Sequence, residues 1–404
     1  MAKDISPTVW SLTKAIKGTN GNTIKPNRFV ILSREECVMD QLSLSLGNKR
    51  RIDHQVRVRI GSADLIVSEV FDTYWKFAAE RQNIFFKRLR NEYPLTTDSI
   101  LSSFKFTNAY RASDRVSQYL IREIAYSGDQ THNELFFRIV LFKIFNKIET
   151  WELLCQAFGE VCYRNFDFDA CDRLLTDALQ KNVRIYSAAY IMPSGGAHGE
   201  TRKHRSHLRL LRQMMDDHVP EKIATIGSMK SAFELLRSYP MIGDFLAMQF
   251  IIDLNYSTLT NFDEMEFVVA GPGAKDGIRK CFPDADLRST PEIIKFMADS
   301  QEEQFGRLGI RFDSLWGRRL QLIDCQNLFC EVEKYSRRAH PDIPGRSGRT
   351  RIKQQFLAKP QRLSLFYPPK WSLNYKIPVA YQDVTSLRRN TEVLELSGAK
   401  VAAY

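Results

Sequence analysis

Residues 235–266 read LLRSYPMIGDFLAMQFIIDLNYSTLTNFDEME, and the fold turns on this stretch. Ser231 to Leu236 has helical character, and Pro240 ends it because its ring fixes φ and its nitrogen has no proton to donate. Gly243 is expected to take the positive φ that reverses the chain. Asp244 suits the N-cap or first turn of a second helix, which is apolar nearly all round from Phe245 to Leu254 and therefore expected to be buried. The result is a helical hairpin over about residues 231–256. Backbone N–H groups of its turn and second helix face outward, where they can hold a phosphate oxygen.

The helical rhythm continues on both sides. Asp64 to Asn91 repeats apolar residues at helical spacing, and Pro94 closes the run. Phe104–Tyr126 reads as a second helix and His132–Ile148 as a third, whose apolar face is too wide for a surface helix. Trp151–Phe158 and Ala170–Leu179 extend the pattern, and Val183–Met192 reads as a short extended stretch before a Pro-Ser-Gly-Gly loop. Arg202–Met215 is a basic amphipathic helix, and a further helix starts at Ile293. The expected class is mainly α with few short strands. Residues 1–58 form a partly ordered arm, 59–372 the helical body and 373–404 a C-terminal tail.

At 404 residues, 44% hydrophobic and 26% charged, the chain can bury a sizeable core. No apolar run approaches the roughly 20 residues that cross a bilayer, and Met1–Thr13 has no signal pattern, so a cytoplasmic protein (nuclear if eukaryotic), not secreted and without membrane contact, is expected. Seven scattered cysteines point to reduced thiols. His198, His204 and His207 cluster at a spacing that matches no zinc pattern, so neither a metal nor another cofactor is expected.

The net charge is +11, and between Lys334 and Lys376 eleven Lys and Arg face one acid, Asp342. Phe356, Phe366, Tyr367, Trp371 and Tyr375 are interleaved with them. This suits a surface that neutralises phosphates, Lys334, Arg349 and Arg351 among them, and offers faces for bases to stack on.

Three further faces carry polar groups. If Phe104–Tyr126 is one helix, Asn108, Arg111, Arg115, Gln118 and Arg122 share a stripe, suited to phosphates and base edges or to local pairs with Asp114 and Glu123. Asp324, Asn327, Glu331 and Lys334 line one face of a helix over Leu320–Tyr335. Its acids, costly to bury unpaired, suit either a structural pair network or an acid/base set. The stretch Gly271-Pro-Gly-Ala-Lys-Asp-Gly277 reads as a loop whose glycines allow close approach, with Lys275 and Arg279 adding charge. No Gly-x-x-x-x-Gly-Lys-Ser/Thr occurs, which argues against ATP chemistry of the P-loop type within this sequence.

The 235–266 stretch resembles the helix-hairpin-helix of DNA glycosylases, in which a Leu-Pro-x-Ile-Gly turn grips the DNA backbone and a catalytic Asp follows about two dozen residues later. Asp263 falls near that place, with Glu266 behind it, whereas Met241 stands where that turn has its first Gly. Three longer stretches, Phe106–Ile121, Asn261–Ala274 and Leu320–Tyr335 with Ala339-His-Pro after it, resemble the helical domain of hydroxymethyluracil DNA kinases, also described as alpha-glutamyl/putrescinyl thymine pyrophosphorylases, over about residues 60–370. The resemblance implies a DNA-glycosylase-like helical fold. It also implies an enzyme acting on double-stranded DNA, replacing the pyrophosphate of an activated 5-hydroxymethyluracil with an amino acid or polyamine. A separate P-loop DNA kinase is the expected partner. On this reading Asp263, Glu266, Asp324, Asn327 and Glu331 are the catalytic candidates. Asn108, Tyr110, Arg111, Arg115, Gln118, Gly243, Lys275, Arg279, Lys334, Arg349 and Arg351 are the DNA-binding candidates. A glycosylase that excises a modified base, and a non-catalytic DNA-binding subunit, are the alternatives.

Overall fold

The computed structural model describes residues 56–194, 202–357 and 363–387. The chain divides at Asp53/His54, and the first unit, with most of the expected arm, lies outside the described residues. So does His198.

The second unit begins with a hairpin of β1 (Arg57–Ile60) and β2 (Ala63–Ile66), antiparallel, with Ile60 opposite Ala63 and Gly61 at φ 59° in the turn. The helix expected from Asp64 therefore starts later. Ser68 caps it, accepting from the Val70 amide, and α1 runs Glu69–Arg90 with Asn91 left-handed at its end. Its first turn is acidic and its last basic, as the helix dipole favours. After α2 (Ser99–Ser103) the chain departs from expectation again. Phe104 bridges Gln355 in extended conformation, and a short helical turn covers Arg111–Ser113. Then α3 (Arg115–Tyr119) runs into a wide helical turn, Leu120–Ala125. Side chains decide this: the Asn108 amide donates to Asp114 and the Asn108 side chain to the Ser113 carbonyl, local bonds that compete with a helix.

The central helices are α4 (His132–Phe145), buried throughout from Glu134, and α10 (Asp244–Asn255), buried throughout from Leu246, as its sequence required. α5 (Ile148–Phe158), α6 (Phe168–Gln180), α7 (Lys203–Asp216), α8 (Val219–Thr225) and α9 (Met229–Arg237) complete the part of the body around α4. The rest is α11 (Pro272–Cys281), α12 (Thr290–Asp299), α13 (Gln301–Arg307) and α14 (Leu322–Ala339), with α1 packed on α11 and α14. The molecule is mainly helical, with one two-stranded sheet among the described residues. No helix among the described residues is long and apolar enough to cross a membrane.

Two turns correct the sequence reading. In the α9–α10 turn Met241, not Gly243, takes the left-handed conformation, at φ 66°; Gly243 has φ −85° and serves as N-cap. The stretch 271–277 is no loop: Gly271 caps α11, and Gly273 and Gly277 lie against α14. A Cβ on Gly277 would overlap the Phe329 carbonyl oxygen, and one on Gly273 would sit 2.5 Å from the Cys330 Sγ. These glycines serve helix–helix contact rather than a ligand. Beyond α14 the chain is irregular, yet Leu373 and Ile377, at the start of the expected tail, are both 2% exposed.

Candidate functional site

Arg111 was expected to face phosphate. It is instead 2% exposed, and three elements hold it. Its backbone N–H donates to Asp324 Oδ1 on α14 (2.8 Å), its Nη2 meets Asp253 Oδ1 on α10 (2.6 Å), and its Nη1 donates to the Tyr256 hydroxyl (3.1 Å). Lys143 on α4, also 2% exposed, reaches the other Asp253 oxygen at 2.7 Å. Two cations thus share one carboxylate in the interior. Burial works against the Asp253 charge, but Arg111 and Lys143 outweigh it and hold the carboxyl below its ordinary range. The same burial pulls the Lys143 ammonium down to about 8, only partly opposed by Asp253.

The half-buried Tyr190 ring covers this cluster. Lys143 Nζ lies 3.9 Å from its centroid and the Arg111 guanidinium 5.8 Å, and Tyr190 stacks on Phe245 of α10 at 5.8 Å and 16°. Tyr190 itself has φ 54°, so the approach to the cluster is made by a residue in a conformation non-glycine residues seldom adopt.

Tyr256 leads from this cluster to a second one, with Trp371 edge-on at 5.6 Å. Trp371 carries the Arg318 guanidinium on its face at 3.8 Å, and Arg318 pairs with the buried Glu264 at 2.8 Å. Lys370 closes the loop after α10 by donating to the carbonyls of Ser257 and Thr260, and burial lowers it to about 8.

The sequence-derived acids therefore separate. Asp324 is 5% exposed, and its oxygens accept the amides of Arg111 and Gln321, the second closing a capping box on α14. Burial raises it to about 6 against those two bonds. Its geometry is that of a structural cap that seats Arg111. Glu331 accepts the Thr107 amide and pairs with Lys334 at 2.7 Å, with the Lys334 ammonium over Phe106 at 4.5 Å, so both are part of the packing. Asn327 on the same helix is half-buried. Asp263 and Glu266 are exposed; Asp263 accepts the Met265 amide in a local turn, and the acid that turns inward is Glu264 between them.

The expected Arg stripe does not exist. Asn108 bonds Arg81 and Ser113, Tyr110 donates to the Arg318 carbonyl, Gln118 joins Ala112 to Phe366, and Arg122 pairs with Asp383; Arg115 alone is exposed. Lys275 is half-buried, Arg279 meets Asp276 at 3.7 Å, and Gly243 is exposed at the turn with open space around it. In the basic segment Phe366 and Tyr367 are fully buried core residues, not stacking faces, while Tyr375 is 58% exposed. Among the described residues its exposed cations are Arg338, Arg346, Arg349, Arg351, Lys353 and Lys376. His204 and His207 are both buried: His204 meets Asp172 at 3.0 Å, while His207 accepts from the Tyr186 hydroxyl and donates to the Pro193 carbonyl.

The sequence reading passed over Asp253, Lys143, Gln249 and Tyr190. For the first two a signal existed: Lys143 and Asp253 are charges inside helices apolar on every side, and such charges are rarely buried without a specific partner.

A family model described as "5-hmdU DNA kinase, helical domain" matches residues 68–345, which takes in every element named here as building the two clusters except Lys370 and Trp371. The chain belongs to this family. A relative named 5-hmdU DNA kinase, from Bacillus phage SP10, is 24% identical over 287 residues, covering 66% of this chain and 45% of the relative. The chain thus spans less than half the length of that curated relative. No solved structure matches.

Proposed function

We propose that this protein is a DNA base hypermodification enzyme that acts on an activated 5-hydroxymethyluracil in DNA and replaces its pyrophosphate with an amino acid or polyamine. The observation that carries the reading is the Arg111–Asp253–Lys143 cluster, two buried cations on one carboxylate under an aromatic ring, in a chain of this family. Buried cations are costly unless anions accompany them, and a departing pyrophosphate is an anion that two cations suit.

On this reading each group takes a role. The exposed cations from Arg338 to Lys353 and the open turn at Gly243 approach the DNA backbone. The target base leaves the stack, which costs a few kcal/mol that phosphate contacts offset. Lys143 and Arg111 take the charge that develops on the leaving group. Asp263 and Glu266, exposed on the loop after α10, are the carboxylates available to take a proton from the incoming amine. Asp324 acts at one remove, by seating Arg111.

The test is to incubate the protein with DNA bearing pyrophosphorylated 5-hydroxymethyluracil and a set of amino acids and polyamines, then digest to nucleosides for mass spectrometry. A new amine-bearing nucleoside that forms with wild type but not with Lys143→Met is expected. Unchanged nucleosides under every amine overturn the reading, and abasic sites in their place would establish a glycosylase.

A further inference from the structure

Gln249 is fully buried on α10, and neither its amide nitrogen nor its carbonyl oxygen has a hydrogen-bond partner. Leaving both ends of a buried amide unmet costs on the order of a few kcal/mol. Phe245, Gln249 and Asp253 follow at i, i+4 and i+8, so they share one side of α10. Tyr190 spans that side: it stacks on Phe245 at one end and lies over Lys143, the partner of Asp253, at the other. Gln249 lies one helical turn from Phe245 and one from Asp253 along that side. Arg111, whose Nε is also without a partner, lies at the same end as Asp253.

From this arrangement we propose that Tyr190 occupies the place of a planar pyrimidine, and that the recess it fills is the binding site for the extruded base. When the base enters, it displaces Tyr190 and stacks on Phe245. Gln249 then bonds the imide edge, its carbonyl accepting from the ring N3–H and its amide nitrogen donating to an adjacent ring carbonyl. The pairing is complementary because an imide offers a donor beside an acceptor, the reverse of what the side chain carries. The ring of Phe245 is held for stacking by Gly271, where a Cβ would stand 2.7 Å from Phe245 Cδ2. The chemical class is a uracil-type base, thymine and 5-hydroxymethyluracil included, whose N3–H and adjacent carbonyl match one orientation of the Gln249 amide. This site rests on the base-modification reading but names the atoms that read the base.

The test compares two duplexes carrying one 5-hydroxymethyluracil or its N3-methyl derivative, each opposite an abasic position so that no base pair is lost in either. Wild type should bind the N3–H duplex about tenfold or more tightly, and Gln249→Met should bind both alike. Tyr190→Ala should tighten binding to the N3–H duplex by removing the competing ring. Since Gln249→Met deletes two unmet groups, its melting temperature should equal or exceed that of wild type, which separates lost recognition from lost folding. The proposal is overturned if wild type binds both duplexes equally, or if Gln249→Met melts lower and keeps the discrimination. If discrimination is found but no new nucleoside forms with any amine, the site stands and the transfer reaction fails. If the nucleoside forms equally well from the N3-methyl base, the reaction stands and this site fails.

Discussion

At the scale of single residues, the molecule stores its chemistry in charges that helix periodicity alone would place among apolar neighbours. Asp253 is the clearest case. Replacing it with Asn leaves Lys143 and Arg111 facing each other without their shared carboxylate, and a loss of about 3–5 kcal/mol in urea unfolding is expected. Met241 offers the opposite sign. A side chain at φ 66° carries strain of about 1 kcal/mol, so Met241→Gly should leave stability unchanged or raise it slightly despite the lost side chain. The sequence had Met241 where the turn it resembles carries its first Gly, yet suggested the left-handed conformation two residues later, because any Gly in a turn invites a positive φ. His207 gives a pH dependence. It is buried neutral, and burial lowers it to about 4, from an ordinary 6.5. As pH falls through 6.5 towards 4 the unfolded chain takes up a proton that the folded one refuses, so stability is lost on the acid side, by up to about 3 kcal/mol. Asp324, raised to about 6, acts in the reverse direction over part of that window, since its folded form holds a proton more readily. The difference between wild type and His207→Gln across that range isolates the histidine, and parallel curves would contradict its assignment.

At the scale of elements, the sequence was most informative where one period ran unbroken. α10 and α4 could be read as interior helices because no polar face interrupts them, and the basic amphipathic α7 was placed within a residue or two. The reading failed where side chains bond their own backbone, at 104–114, and where glycines serve another helix, at 271–277. Such effects depend on partners far away in sequence, Gln355 for Phe104 and Phe329 for Gly277, which local periodicity does not encode. The close contact of α11 with α14 is therefore the most sensitive joint in the fold. Gly277→Ala places a methyl group against a backbone carbonyl that cannot swing aside, and the helices must separate; a loss of about 3 kcal/mol or more is expected in thermal or urea unfolding. Wild-type stability in that variant would show that the two helices are not in this register. Of the site itself, Arg111 and Asp324 were named from sequence, yet the residues that give them meaning, Asp253, Lys143 and Tyr256, were not. Their pairing is set by how α4, α10 and α14 meet.

At the scale of the whole molecule, charge and burial divide the labour. On the proposed reading, exposed cations between Arg338 and Lys353 supply contact that does not depend on sequence, and the buried cluster under Tyr190 supplies a place for one base. Five phosphate contacts predict a log–log salt slope of about −4.5 for DNA binding, and replacing Arg346, Arg349 and Arg351 by Ala should make it shallower by about 2.7. An unchanged slope would move the DNA to another face. In the proposed reaction a base leaves the duplex and enters the molecule. This step is tested most directly by placing 2-aminopurine next to a 5-hydroxymethyluracil in duplex DNA and following its fluorescence as protein is added. The account predicts a several-fold rise on binding, lost or strongly reduced in Gln249→Met at saturating protein. Binding that follows the salt law while the fluorescence stays flat would contradict it.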